Sequence, residues 1–270
     1  MSALLDQAVK ACLKSGEYTL PLLPESTGRL LELLQSDDVD FTEVEQLVSR
    51  EAVLAVRVLR VANSTALRGA RSVSSIHEAI TRLGTRQVMR IALSEQVASV
   101  FNVPGYEDLA RSNWWDARMS SLYASAVAAA VGEDTDTAFV CGLLHAVGRP
   151  IVLQTVVGIA GHIDQPQSRA AVQGWVEAWY TQVGLRLVQR WGLPEVVQAS
   201  VEHHKRPEAD TAHTTMTRIT ALSAMLTRAS PPDEETLARL AEHPICQSLG
   251  IDGERLIALV DPTVSGLLAA

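Results

Sequence analysis

The chain has 270 residues, 47% hydrophobic and 20% charged, with 16 Gly and 11 Pro. That is enough chain to bury a core without disulfide or metal staples, and the composition excludes the disordered and fibrous classes. A formal net charge of −8 argues against a protein that coats nucleic acid or an anionic membrane by long-range attraction.

Aromatic residues make up only 4% of the chain, so small aliphatic side chains must fill the interior. The abundance of Ala, Leu, Glu, Gln and Arg over β-branched and aromatic types predicts an all-α fold. Cys12, Cys141 and Cys246 lie far apart with no CxxC pair, which gives neither a disulfide framework nor a zinc ribbon, and a reducing cytoplasm is the expected compartment. The N-terminal stretch carries Asp6 and no apolar core of signal-peptide length, and apolar runs such as 122–131 are too short to span a bilayer. Export and membrane insertion are therefore not expected.

In chain order, Thr42 followed by Glu45 reads as a capping box that opens a helix. Val44, Leu47 and Val48 continue it, and Val53, Val56, Leu59 and Val61 extend an apolar face beyond a break near Ser49, with Asn63 and Ser64 at the end. Ser75 and Glu78 form a second capping box before Ala79, Ile80 and Leu83, and Gly84 sits where that helix should stop. Thr85 can cap the next helix, which carries Val88, Ile91 and Val97 up to Phe101 before Asn102, Pro104 and Gly105 interrupt it. From Asp108 to Val131 the Ala- and Ser-rich sequence predicts one or two closely packed helices containing Trp114 and Trp115. These two serve as packing between the halves or as a stacking platform. A further helix is expected over about 137–147, ending at Gly148 and Pro150, with 151–157 read as helix on context. Pro194 suits the first turn of the helix carrying His203 and His204, Ser230 with Pro231 and Asp233 reads as another start, and three helices fill the stretch after Pro207. The expected architecture is about a dozen helices in two packed halves: residues 1–105, residues 106–208, and C-terminal helices over 209–270 packing on the second half.

The sharpest motif is Gly142-Leu143-Leu144-His145-Ala146-Val147-Gly148-Arg149, which resembles the HD motif of metal-dependent phosphohydrolases, GLLHDIGR, where the His and the Asp both bind metal. Over about residues 18–228 the resemblance is closer to the HDOD family, the HD-related output domain of bacterial signalling proteins. It rests on Leu20-Pro21-Leu22-Leu23-Pro24, on Arg57 to Ser64 (RVLRVANS), on Ser74-Ser75-Ile76 with Ala79, Ile80, Leu83 and Gly84, and on Trp191-Gly192-Leu193-Pro194 with His203-His204.

Residue by residue, the metal set is incomplete. Ala146 stands at the HD aspartate, no histidine lies between His77 and His145, and Tyr180 stands where a further histidine would precede Val183-Gly184. A catalytic divalent ion needs several N and O ligands including carboxylates, so His145, His203 and His204 are read as a vestigial pocket with no catalytic residue, metal or cofactor. His145 is expected to donate to a backbone carbonyl. Of the neighbouring pair His203 and His204, one is expected beside His145 and the other toward solvent, since successive helical residues point about 100° apart.

Between Arg50 and Arg90 eight arginines face two acids, Glu51 and Glu78. Arg57, Arg60, Arg68 and Arg71 are the candidate surface for an acidic partner protein or a phosphate group, with Arg68 and Arg71 flanking Gly69 in a loop. The helices over 75–101 make a poor helix-turn-helix, because apolar residues cover too much of the second one. The resemblance implies a non-catalytic signalling module acting through a protein partner. The two other readings are a divergent HD-type phosphohydrolase using His145, His203 and His204, and a nucleotide, cyclic-dinucleotide or nucleic-acid sensor using the arginines.

Overall fold

The computed structural model describes residues 3–36, 38–64, 72–162, 168–229 and 232–260, with side chains from Asp6 onward. Among the described residues every regular element is helical. The first half contains α1 (Ala3–Ser15), α2 (Glu25–Leu34), α3 (Phe41–Ser49), α4 (Ala52–Ala62), α5 (Ile76–Leu83) and α6 (Thr85–Ala98). The second contains α7 (Glu107–Val131), α8 (Thr135–Leu144), α9 (Gly148–His162), α10 (Arg169–Arg190) and α11 (Glu195–His203), and α12 (Thr214–Arg228), α13 (Glu234–Ala241), α14 (Pro244–Leu249) and α15 (Gly253–Val260) follow.

Local chemistry explains most boundaries and corrects several expectations. The cap of α3 is Asp40, whose carboxylate accepts from the Thr42 amide at 2.8 Å, so the helix is capped two residues before the box expected at Thr42. An N-cap aspartate accepts directly from the N2 amide, whereas Thr42 already lies inside the helix. At α5, Ser75 accepts from the Glu78 amide at 3.1 Å, while Glu78 reaches back to the amide and hydroxyl of Ser74. Gly84, with φ of 83°, both ends α5 and caps α6, leaving Thr85 as the first helical residue and not the cap. Asn63 ends α4 and holds the returning chain: its amide donates to the carbonyls of Leu59 and Val73, and the Val73 amide donates to its oxygen at 2.7 Å.

Residues 107–131 form one helix of 25 residues. Gly148 and Pro150 open α9 instead of closing α8, because a proline in the first turn loses no helical hydrogen bond. Asp233 caps α13 through the Thr236 amide; Ser230 and Pro231 lie outside the described residues. Among the described residues after Pro207 there are four α-helices where three are expected. Trp114 packs against Phe101 with ring centroids 5.6 Å apart, while Trp115 is exposed.

The halves pack around one continuous apolar core. In the first, α6 lies against α2, α4 and α5; in the second, α7 packs against α8 and α12, and α9 against α10. Helix α1 belongs spatially to the second half despite its place in the chain, since it packs on α9 and its last turn receives Arg186, which donates to the Leu13 and Lys14 carbonyls and to Tyr18. The two halves are tied by Asp136 on α8, which is almost fully buried and accepts from Arg86 and Arg90 of α6.

Two glycines set the second half's geometry. At Gly142 an added methyl would sit 2.6 Å from the Ser120 carbonyl oxygen, and at Gly148 it would fall on the Tyr180 carbonyl and 2.6 Å from the Gly184 amide nitrogen. These contacts let α8 rest directly on α7 and α9 on α10, as only glycine permits. Residues Thr135–His162 are long and apolar enough to cross a membrane, a correction to the expectation that every apolar run is too short, but the stretch is broken by the turn at 145–147 and is 83% buried inside the protein.

Candidate functional site

The end of α8 delivers His145 into the interior, 3% exposed, where its Nδ1–H donates to the Gly142 carbonyl at 2.6 Å. Ala146 follows in the turn, fully buried. His204 caps the C-terminus of α11, and its ring meets that of His145 edge-on with centroids 5.1 Å apart. His204 Nδ1 lies 3.1 Å from the carbonyls of both Ser200 and Val201, which places its proton there and leaves Nε2 as the acceptor. That acceptor is filled by the Tyr180 hydroxyl of α10, at 2.8 Å. The structure therefore brings together His145, Ala146, Tyr180 and His204. His203 turns away, with its Nε2 3.5 Å from Glu202 at the surface.

Around this closed triad lies a set of charges that sequence reasoning missed. Arg149, the last residue of the motif, is 5% exposed and bonds Asp116 at 3.1 Å and Glu177 at 3.0 Å, with its guanidinium carbon 4.8 Å from the Tyr180 ring centre. Lys205 Nζ lies 4.1 Å from the same ring centre and donates to the Glu177 carbonyl at 2.7 Å. Arg149 closes the linear motif that carries His145 and Ala146. Asp116, Glu177 and Lys205 stand on three separate segments and share no sequence spacing.

These surroundings set the protonation states. Burial pushes His145 well below the usual imidazole range, helped by His204 and Arg149, and burial likewise pushes His204 down to about 3, so both rings are neutral. Burial also raises the Tyr180 phenol, which keeps its proton for His204.

The residues do not fit a divalent metal. The aspartate position is Ala146, the free lone pair of His204 is occupied by Tyr180, and the carboxylates of Asp116 and Glu177 are committed to Arg149. Among the described residues no group of three or more His, Cys, Asp or Glu side chains could hold an ion.

The arginine-rich segment does not form one face. Arg57 pairs with Glu95, and Arg86 and Arg90 turn inward to Asp136. Arg60 is exposed on α4, and Arg68 and Arg71 lie outside the described residues.

Comparison with known proteins agrees with this frame. The HDOD domain profile matches residues 20–207. An uncharacterized protein of Treponema pallidum (strain Nichols) is 23% identical over 218 residues, covering 77% of this chain and 42% of its own length, so the chain spans less than half of that relative. Among crystal structures, an HDOD domain protein of unknown function from Geobacter sulfurreducens aligns with a TM-score of 0.75 at 23% identity, covering 97% and 96% of the two chains. A Shewanella amazonensis SB2B protein named for metal-dependent phosphohydrolases aligns at 0.73 and 19% identity, covering 98% and 97%. A Marinobacter aquaeolei VT8 protein named for signal transduction aligns at 0.67 and 23% identity, covering 93% of this chain and 58% of its own. With the profile covering most of the chain, this protein belongs to the HDOD domain family.

Proposed function

We propose that the chain is a non-catalytic regulatory module of the cytoplasm that acts by binding a protein partner. The observation that carries this reading is the hydrogen bond from Tyr180 to His204 Nε2: it spends the lone pair a metal would need, in a pocket whose carboxylate position is Ala146. Hydrolysis of a phosphodiester by this fold depends on a metal-activated water, and the two neutral imidazoles of His145 and His204 cannot replace the missing charge. The signal-transduction name of one structural neighbour fits such a role. The name of another neighbour as a phosphohydrolase carries no more than the fold at 19% identity.

The test is elemental analysis of protein purified without chelator, together with phosphodiesterase assays in added Mg²⁺ and Mn²⁺. Substoichiometric metal and no turnover are expected. About one bound ion per chain, lost on His145→Ala, or metal-dependent turnover sensitive to that substitution, would overturn the reading.

A further inference from the structure

Adjoining the His145–Tyr180–His204 triad, with His204 itself in its lining, a cavity of about 400 Å³ opens between the end of α11 and the C-terminal helices α12 and α14. Its polar wall carries Lys205, Arg228, His243 and Glu177, and its apolar wall includes Pro207 and Met225. The cavity is built partly from outside the family match, which ends at residue 207: Met225, Arg228 and His243 belong to the segments that follow it.

The charges on this wall are unbalanced. Glu177 is shared between Arg149 at 3.0 Å and Lys205 at 3.4 Å, and Asp116 is spent on Arg149. Arg228 is exposed and makes no ion pair within 4.0 Å among the described residues. Two carboxylates, Asp116 and Glu177, thus serve Arg149 and Lys205, and Arg228 is a third cation beside them. The strain is visible at Lys205, whose pKa is lowered by burial first and further by Arg149 and Arg228, against the opposing pull of Glu177. His243 adds a donor: its Nδ1 accepts from the Ile245 amide at 3.3 Å, so the neutral ring carries its proton on Nε2.

We propose that this cavity binds a small organic phosphate monoester without a metal, its phosphate held by Arg228, Lys205 and the His243 Nε2–H and its organic body lying against Pro207 and Met225. A guanidinium and an ammonium converging with a neutral N–H suit a doubly charged phosphate, which would supply the missing negative charge. The volume lies in the range that encloses a ligand of nucleoside-monophosphate size. The ligand is bound and not consumed, which makes it an input to the module; binding itself does not rest on the non-catalytic reading.

Isothermal titration in EDTA, with adenosine 5′-monophosphate, inorganic phosphate and adenosine as probes, tests this on the full chain. The monophosphate should bind saturably at millimolar concentrations or below, inorganic phosphate more weakly, and adenosine not at all. Arg228→Ala should weaken the monophosphate by roughly tenfold to a hundredfold, as expected for loss of a charged hydrogen bond, while Arg111→Ala on the exposed side of α7 should not change it. Because Arg228 is exposed, its variant should melt as wild type does, and Lys205→Gln gives a second reading on the same wall. Absence of saturable binding by wild type, equal binding of adenosine, or wild-type affinity in both the Arg228 and Lys205 variants would overturn the proposal. Phosphate release measured in parallel with Mg²⁺ reports separately on the non-catalytic reading.

Discussion

Replacing Gly148 with alanine should damage this protein far more than the same change at Gly158, although both lie on α9. At 148 the new methyl would fall on the Tyr180 carbonyl oxygen and lie 2.6 Å from the Gly184 amide nitrogen. Ordinary contacts at those atoms are about 3.4 Å, and both obstacles are backbone, so no rotamer change can relieve them. Helices α9 and α10 must part by about 1 Å, loosening Ile151, Val152, Val183 and Leu187, all at most 2% exposed. Overpacking alone costs about 1–3 kcal/mol, and the lost contacts along the interface raise the expected total to about 3–5 kcal/mol. At 158 nothing lies within 4 Å of the added methyl, so the helix should gain about 0.5–1 kcal/mol from alanine's propensity. Urea unfolding followed by circular dichroism measures both, and the midpoint of Gly148→Ala should fall sharply while that of Gly158→Ala rises slightly. Two variants within about 0.5 kcal/mol of each other would show that the close crossing of α9 and α10 is not what this glycine provides.

Acid should unfold the protein through its buried imidazoles. His145 and His204 are held neutral in the fold but take up protons near pH 6.5 once unfolded, so stability is complete above about pH 6.5 and falls as pH drops toward 5, by up to about 1.4 kcal/mol per pH unit for each ring. Denaturation midpoints that stay flat from pH 6.5 to 5 would contradict this, and His204→Gln should remove about half of the slope. Asp136→Ala removes the carboxylate that joins α6 to α8 and leaves the half-buried Arg90 without its ion-pair partner; a loss of about 3 kcal/mol is expected, at the low end for a broken buried pair because Arg86 remains solvated and Arg90 keeps its bonds to Ser125 and Thr135. Tyr180→Phe should cost about 1–2 kcal/mol by leaving His204 Nε2 without its donor, and an unchanged melting temperature would show that bond to be idle. Ala146→Asp places a carboxylate at a fully buried position. It should destabilise the fold and yield no metal-dependent phosphodiester hydrolysis, since the other ligands are still missing; turnover by this single variant would mean that the ligand positions are misassigned.

The all-helical class was written in composition, because a chain this poor in aromatic residues and this rich in Ala, Leu and other good helix formers buries its core most readily between helices. Helix ends were legible wherever one residue does the work alone, as at Ser75 and Gly84. They were misjudged where neighbours compete, as with Asp40 over Thr42, or where Gly148 and Pro150 suit a helix start as well as a helix end. The loss of the HD aspartate at Ala146 could likewise be seen in the linear motif. What fills the pocket could not. Tyr180 reaches His204 because α10 packs against the end of α11, a contact that no local sequence pattern records. The ion pairs that consume Arg86, Arg90 and Arg149 are decided the same way: a charge run in sequence records how many cations there are, while their partners on α7, α8 and α10 are chosen by packing in three dimensions.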